Sequence, residues 1–240
     1  MKDLGDGLQL GGWTRNGIGD LTLMIEWFRD FPQAKPTLKV VRINWWAGIS
    51  SPTGLRHDPD KIMAVPFGYN GSFSIPFGMG LDLHFIHHLK AGFYVQLTHA
   101  FGSTQSGRIK TDPDQTELLL LTKTSVYTDP GLTQQFSLFG EVYKPWGGLS
   151  CMLAYQYIKQ NRSTIALYGN TYAADIANTA QYLRDWTMHQ LFVRADYDIG
   201  DHMGTNARVF PRITLYTRIP FNGKRFVANS TIGAIFSLDF

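Results

Sequence analysis

The sequence predicts an all-β chain, an antiparallel up-and-down transmembrane β-barrel of about 10 strands, and three observations carry that prediction. Apolar and polar residues alternate with a period of two in segment after segment, and the longer apolar row keeps to one face. The connections between segments are mostly short on one side and long on the other, as barrel turns and loops are. The longest apolar run, residues 118–121, falls far short of the roughly 20 residues of a membrane helix.

Composition agrees less sharply. The 240 residues are 44% hydrophobic with a mean hydropathy of −0.14, which looks soluble because alternation dilutes the apolar signal by half. The 14% aromatic content and 24 glycines suit interfacial girdles and tight strand ends. A net charge of +3 makes no case for nucleic acid. Cys151 is the single cysteine, so it forms no internal disulfide, and its parity points it toward lipid. No secretory leader precedes the first strand, and Met1 is expected to open the mature form.

A weak strand near residues 8–13 comes first. Residues 21–27 then set Leu21, Leu23, Ile25 and Trp27 against Thr22, Met24 and Glu26. Residues 41–49 set Val41, Ile43, Trp45, Ala47 and Ile49 against Arg42, Asn44, Trp46 and Gly48. The clearest strand is 73–85, where Phe73, Ile75, Phe77, Met79, Leu81, Leu83 and Phe85 alternate with Ser74, Pro76, Gly78, Gly80, Asp82 and His84. A tilted strand of about 9–11 residues spans the hydrocarbon layer, and this one is long enough. Strands follow at 93–101, 136–142, 149–157, 191–197 and 209–219. The last, 226–240, places Ile232, Ala234, Phe236, Leu238 and Phe240 on one face. Thr231, Gly233, Ile235, Ser237 and Asp239 take the other. The count is ten, or twelve if residues 117–127 or the extreme N-terminus add a pair. An open edge in lipid would strand backbone polar groups, so closure is required and residues 1–240 form one domain.

The alternation running to a terminal Phe240 resembles the closing strand of bacterial outer-membrane β-barrels, and the chain as a whole resembles the small porin-like members. The resemblance implies that Phe236, Leu238 and Phe240 form the signal read by the barrel-assembly machinery. It also implies a place in the outer membrane of a Gram-negative bacterium, among its lipid and lipopolysaccharide. With Phe240 at the periplasmic end, 30–37, 86–89, 145–148 and 200–208 become periplasmic turns. Long external loops then lie near 50–72, 102–134 and 160–186, with short ones at 14–19 and 220–224. Both chain ends are expected in the periplasm. Within 102–134, the apolar stretch 118–121 between Asp112-Pro113 and Asp129-Pro130 must pack against something. It suits an external hairpin extending the wall, or else an inward constriction loop. Residues 171–183 are Ala-rich and suit a short helix at the mouth.

The inward row carries the functional expectation. Arg42, Asp82, His84, Glu141, Arg194, Asp196, Asp198 and Arg212 fall in the periplasmic half, and Arg218 lies nearer the external end. Opposed acids and bases can set the selectivity of a passage. Alternatively they pair across a narrow barrel and fill it, since buried ions must pair, and Met24, Trp46, Met152 and Phe192 add bulk. The expected function is a porin-like channel for passive diffusion of small hydrophilic solutes, with no enzymatic activity and no cofactor. The alternative is a closed structural or adhesive barrel whose external loops bind a partner or lipopolysaccharide. Asp82-x-His84 and Asp196-x-Asp198 are similar to the paired motifs of the omptin proteases. Depth opposes that reading, because these residues fall at the periplasmic end and the omptin site is at the external rim. A lipid-face hydrolase would need His99 or His189, and neither has a clear Ser partner. His84, His87 and His88 could ligate a metal, but such residues more often decorate a solvated turn. A soluble β-sandwich would show shorter strands and a polar outer face.

Overall fold

A computed structural model describes the chain except residues 1–4, 6, 10, 12, 13, 15, 63, 65, 87, 118, 170, 200–209, 227 and 240. Twelve strands are present: β1 (Leu21–Pro32), β2 (Leu38–Ser51), β3 (Ser74–Phe85), β4 (Leu89–Ala100), β5 (Ser103–Ile109), β6 (Thr122–Asp129), β7 (Leu132–Trp146), β8 (Leu149–Gln160), β9 (Thr164–Leu167), β10 (Trp186–Asp198), β11 (Phe210–Lys224) and β12 (Thr231–Asp239). Among the described residues one α-helix, α1 (Ala174–Ala177), and a 3₁₀ turn at Gln181–Leu183 lie between β9 and β10. No helix among the described residues is long and apolar enough to cross a membrane.

Nine strands form one antiparallel sheet in the order β1-β2-β3-β4-β7-β8-β10-β11-β12. Register keeps the two faces separate. One cross-strand row reads Trp27, Trp45, Met79, Val95, Phe136, Tyr157 and His189, so apolar side chains stay on one face strand after strand. A slip of one residue would send every one of them to the opposite face. That face is bare: Ile25 is 72% exposed, Leu138 63% and Phe236 64%. The opposite face buries Ser74, Thr98, Ser137, Gln156, Gln190 and Thr214. Polar groups are thus sheltered and large apolar groups exposed, the reverse of a sheet that packs a core in water.

The connections separate into two sides. On the short-turn side, β1 joins β2 through 33–37, β3 joins β4 through 86–88, and β7 joins β8 through Gly147 and Gly148 alone. Those two residues have φ of 42° and 87°, and a type I′ turn, one of the two-residue hairpin turns whose twist matches the strands, requires positive φ at both positions. On the long-loop side are 52–73, 101–131 and 161–185, with 225–230 shorter.

The long loops fold into a cap. β5, β6 and β9 form a separate three-stranded sheet around a buried cluster of Ile109, Val126, Ile165, Ala177, Ala180 and Leu183. The Asn178 side chain fastens α1 to β9, donating to the Ile165 carbonyl at 2.8 Å and accepting from the Ile165 amide at 2.9 Å.

Five expectations need correction. The strand near residues 8–13 is absent among the described residues there. The Gln9 amide instead donates to the Asp60 carbonyl at 2.7 Å on the long-loop side, and Gly11 and Gly12 make this a poor strand former. Among the described residues β1 is therefore the first strand and starts on the long-loop side, and they form a sheet of nine strands rather than an even number. The total of twelve comes from the cap, since residues 117–127 contribute to β6 in a second sheet and not to the wall. Residues 220–224 belong to β11, so that connection moves to 225–230. Finally, no pairing joins β1 to β12 among the described residues, so the structure displays an antiparallel sheet without a barrel seam. The expected turn at 200–208 and Phe240 lie outside the described residues, as does Leu118. Leu119 and Leu121, beside it, fall between β5 and β6 and are 38% and 41% exposed.

Candidate functional site

The polar face of the nine-stranded sheet is the candidate site, and register determines which of its charges meet. At one flank, Asp30, Arg42 and Asp82 are directly opposed across β1, β2 and β3. Arg42 holds Asp30 with both arms of its guanidinium, Nε to Oδ1 at 2.6 Å and Nη2 to Oδ2 at 2.8 Å. Its carbon lies 4.7 Å from the Phe28 ring centroid. Planar bidentate pairing of this kind fixes orientation as well as charge.

A second cluster spans β4, β7, β10 and β11. Glu141, only 9% exposed, forms ion pairs with Lys90 at 3.7 Å and Arg194 at 3.8 Å. Arg194 also meets Asp196 at 2.7 Å, and the Thr214 hydroxyl donates to Asp196 at 2.5 Å. Lys144 pairs with Asp198 at 2.9 Å, and Arg212 stands directly opposite Asp198 in register. Toward the long-loop side the charges give way to amides and a phenol. Gln190 donates to Gln156 at 2.7 Å, and Gln156 donates to the Tyr94 oxygen at 2.6 Å.

Bulky side chains on this face lie along the wall. A Cβ at Gly78 would collide with the Trp46 ring, one at Gly92 with Phe139, and one at Gly233 with Tyr216. Each aromatic therefore rests in the gap left by a glycine on the neighbouring strand. The space above the second cluster stays open as a cavity of about 500 Å³, bordered by Glu141, Arg194, Asp196, Arg212, Arg218 and Tyr216.

The structure thus gathers Glu141, Arg194, Asp196, Arg212 and Arg218 around one cavity. Arg42, Asp82 and His84 sit on the β2–β3 flank and do not line it. Sequence reasoning missed Asp30, which it assigned to a turn, and Lys90 and Lys144, which flank turns where parity is hard to assign. The two pairs that resemble omptin motifs are on β3 and β10, with β4, β7 and β8 between them, and Asp196 and Asp198 are engaged in ion pairs. His87 lies outside the described residues. His88 packs its ring 5.5 Å from that of Tyr143, and the described residues contain no cluster of three or more metal-ligating side chains. On the apolar face, His189 sits among Tyr155, Tyr157 and Phe221, with the Tyr155 hydroxyl 2.6 Å from its Nδ1 and no serine in that set. Phe236 projects from the apolar face of β12.

The cap carries its own polar framework. Asp60 holds both Arg108, at 3.1 Å, and Lys123, at 3.0 Å. Glu117 meets Lys110 at 3.5 Å and accepts from the Gln181 amide. A cavity of about 820 Å³ lies between the cap and loop 52–73, bordered by His57, Tyr69, Leu119, Leu120 and Tyr182 among others. No protein-family model and no curated protein matches this chain, so its function is read from these arrangements alone.

Proposed function

We propose that the chain is an outer-membrane β-barrel that passes small hydrophilic solutes by passive diffusion. One observation carries this reading: a single sheet exposes a continuous apolar face and shelters a charged face, with open space above the charges. Lipid is the solvent that an exposed face of leucine, isoleucine and aromatic side chains suits, and a water-filled lumen suits the charges. Glu141, Asp196 and Asp198 pair with neighbouring bases along the sheet, which leaves the passage unblocked by them. In lipid both sheet edges need partners. Because β1 and β12 both run from the long-loop side to the short-turn side, a direct seam between them is parallel. Assembly through the barrel-assembly machinery, with Phe236, Leu238 and Phe240 as its signal, belongs to the same reading.

The test is single-channel recording of the refolded protein in planar bilayers. Discrete, stable conductance steps support the channel, and a folded, membrane-inserted protein that never conducts refutes it. The folded cap favours one second reading, a closed barrel that binds a partner or lipopolysaccharide through its loops. Binding of lipopolysaccharide vesicles by intact protein, lost on removal of residues 103–129, is the result that reading requires.

A further inference from the structure

We infer, building on the channel reading, that the lumen carries a binding site for small oxyanions in which Arg218 makes the first contact. The cavity of about 500 Å³ is bordered by five cations, Lys90, Lys144, Arg194, Arg212 and Arg218, and by three acids, Glu141, Asp196 and Asp198. The acids are already committed: Glu141 to Lys90 and Arg194, Asp196 to Arg194, and Asp198 to Lys144. Arg218 stands apart from them. Among the described residues no carboxylate lies within ion-pair distance of it, and its contacts are the rings of Phe192 and Tyr216, whose centroids are 5.7 and 5.6 Å from its guanidinium carbon.

That setting suits an anion. Aromatic faces within about 6 Å hold a guanidinium by cation–π attraction without using its N–H donors. Five donors in a fixed fork then remain for a ligand, and such a fork matches phosphate or carboxylate oxygens. Arg218 faces Phe192 across β10 and β11, and Arg194 faces Tyr216. Arg194 is thus one inward-facing position deeper, roughly 7 Å along the strand. Arg212 lies further toward the short-turn side, opposite Asp198. A small anion arriving from the long-loop side meets Arg218 first and finds further cations below it.

Reversal potentials under a potassium chloride gradient, followed by titration with inorganic phosphate, test the inference. Wild-type protein should prefer chloride to potassium, and phosphate should block its current. A unit charge about 5 Å from an ion's path changes local ion occupancy about fourfold in a water-like dielectric. Because that charge attracts chloride and repels potassium by this factor each, Arg218→Gln should lower the chloride-to-potassium permeability ratio about 16-fold and relieve the phosphate block, while Arg218→Lys keeps the ratio. Arg218 is exposed, and the gel mobility of unheated samples checks that each variant folds. A conducting Arg218→Gln channel with unchanged selectivity and block overturns the site and leaves the channel standing. If folded wild-type protein does not conduct, the channel reading falls and phosphorus NMR of phosphate with detergent-refolded protein decides the site. Line broadening that Arg218→Gln abolishes supports it, and broadening equal in both proteins overturns it.

Discussion

Replacing Leu138 by arginine separates a membrane wall from a water-soluble sheet by the sign and size of one free energy. Leu138 lies near the middle of β7, on the apolar face, flanked in register by Phe93 and Tyr155, and is 63% exposed. Full burial of a leucine side chain is worth about 1.5–3 kcal/mol, so covering the exposed part with lipid contributes roughly 1–2 kcal/mol. An arginine at the midplane of a barrel wall costs about 2–4 kcal/mol, and about 0–1 kcal/mol near the interfaces. In water the same exposed substitution stays within about 0.5 kcal/mol of neutral. The assay is equilibrium unfolding in guanidinium chloride with phospholipid vesicles, followed by tryptophan fluorescence. Leu138→Arg should lower the folded-to-unfolded ratio about 30- to 700-fold, while Leu21→Arg, at a strand end, changes it several-fold at most. A folded variant of unchanged stability in vesicles would refute the placement of this face in lipid.

Other substitutions probe the polar face and the cap. Glu141→Gln leaves Lys90 and Arg194 without their shared carboxylate; it should cost about 1–3 kcal/mol and raise anion preference in bilayer recordings. Gly78→Ala forces the Trp46 ring off the wall, so it should cost about 1–3 kcal/mol and reduce conductance, while Gly140→Ala, where a Cβ meets nothing within 4 Å, leaves conductance unchanged. Ile109 is fully buried in the cap, and Ile109→Ala should cost the cap about 2–5 kcal/mol. Hydrogen exchange should then quicken in β5, β6 and β9 and stay slow in β3 and β4.

Much of the wall is legible because a period of two survives without any knowledge of neighbours. Residues 73–85 show it most plainly, and β3 runs Ser74–Phe85. The same rule places Glu141, Arg194, Asp196, Arg212 and Arg218 on the polar face of the sheet. Parity names a face but not a partner: that Glu141 meets Lys90 and Arg194 depends on a register that only the assembled sheet supplies. β9 escapes because Thr164–Leu167 is four residues long and too short to show a period. The glycine-rich residues 8–13 mislead for the opposite reason: a few alternating apolar positions are too few to establish a strand, and among the described residues there Gln9 bonds to Asp60 instead.

The cap sheet has a consequence for how the chain closes its loops. β6 pairs with β9, and β7 and β8 lie between them in the chain. In the folded chain the β7–β8 hairpin returns residue 164 to the long-loop side, where it stands opposite residue 129. The β6–β9 pairing and the β7–β8 hairpin therefore support one another, each shortening the loop that the other must close. Loops 101–131 and 161–185 are thus one structural unit joined by the β6–β9 pairing, while 225–230 contributes no strand to it.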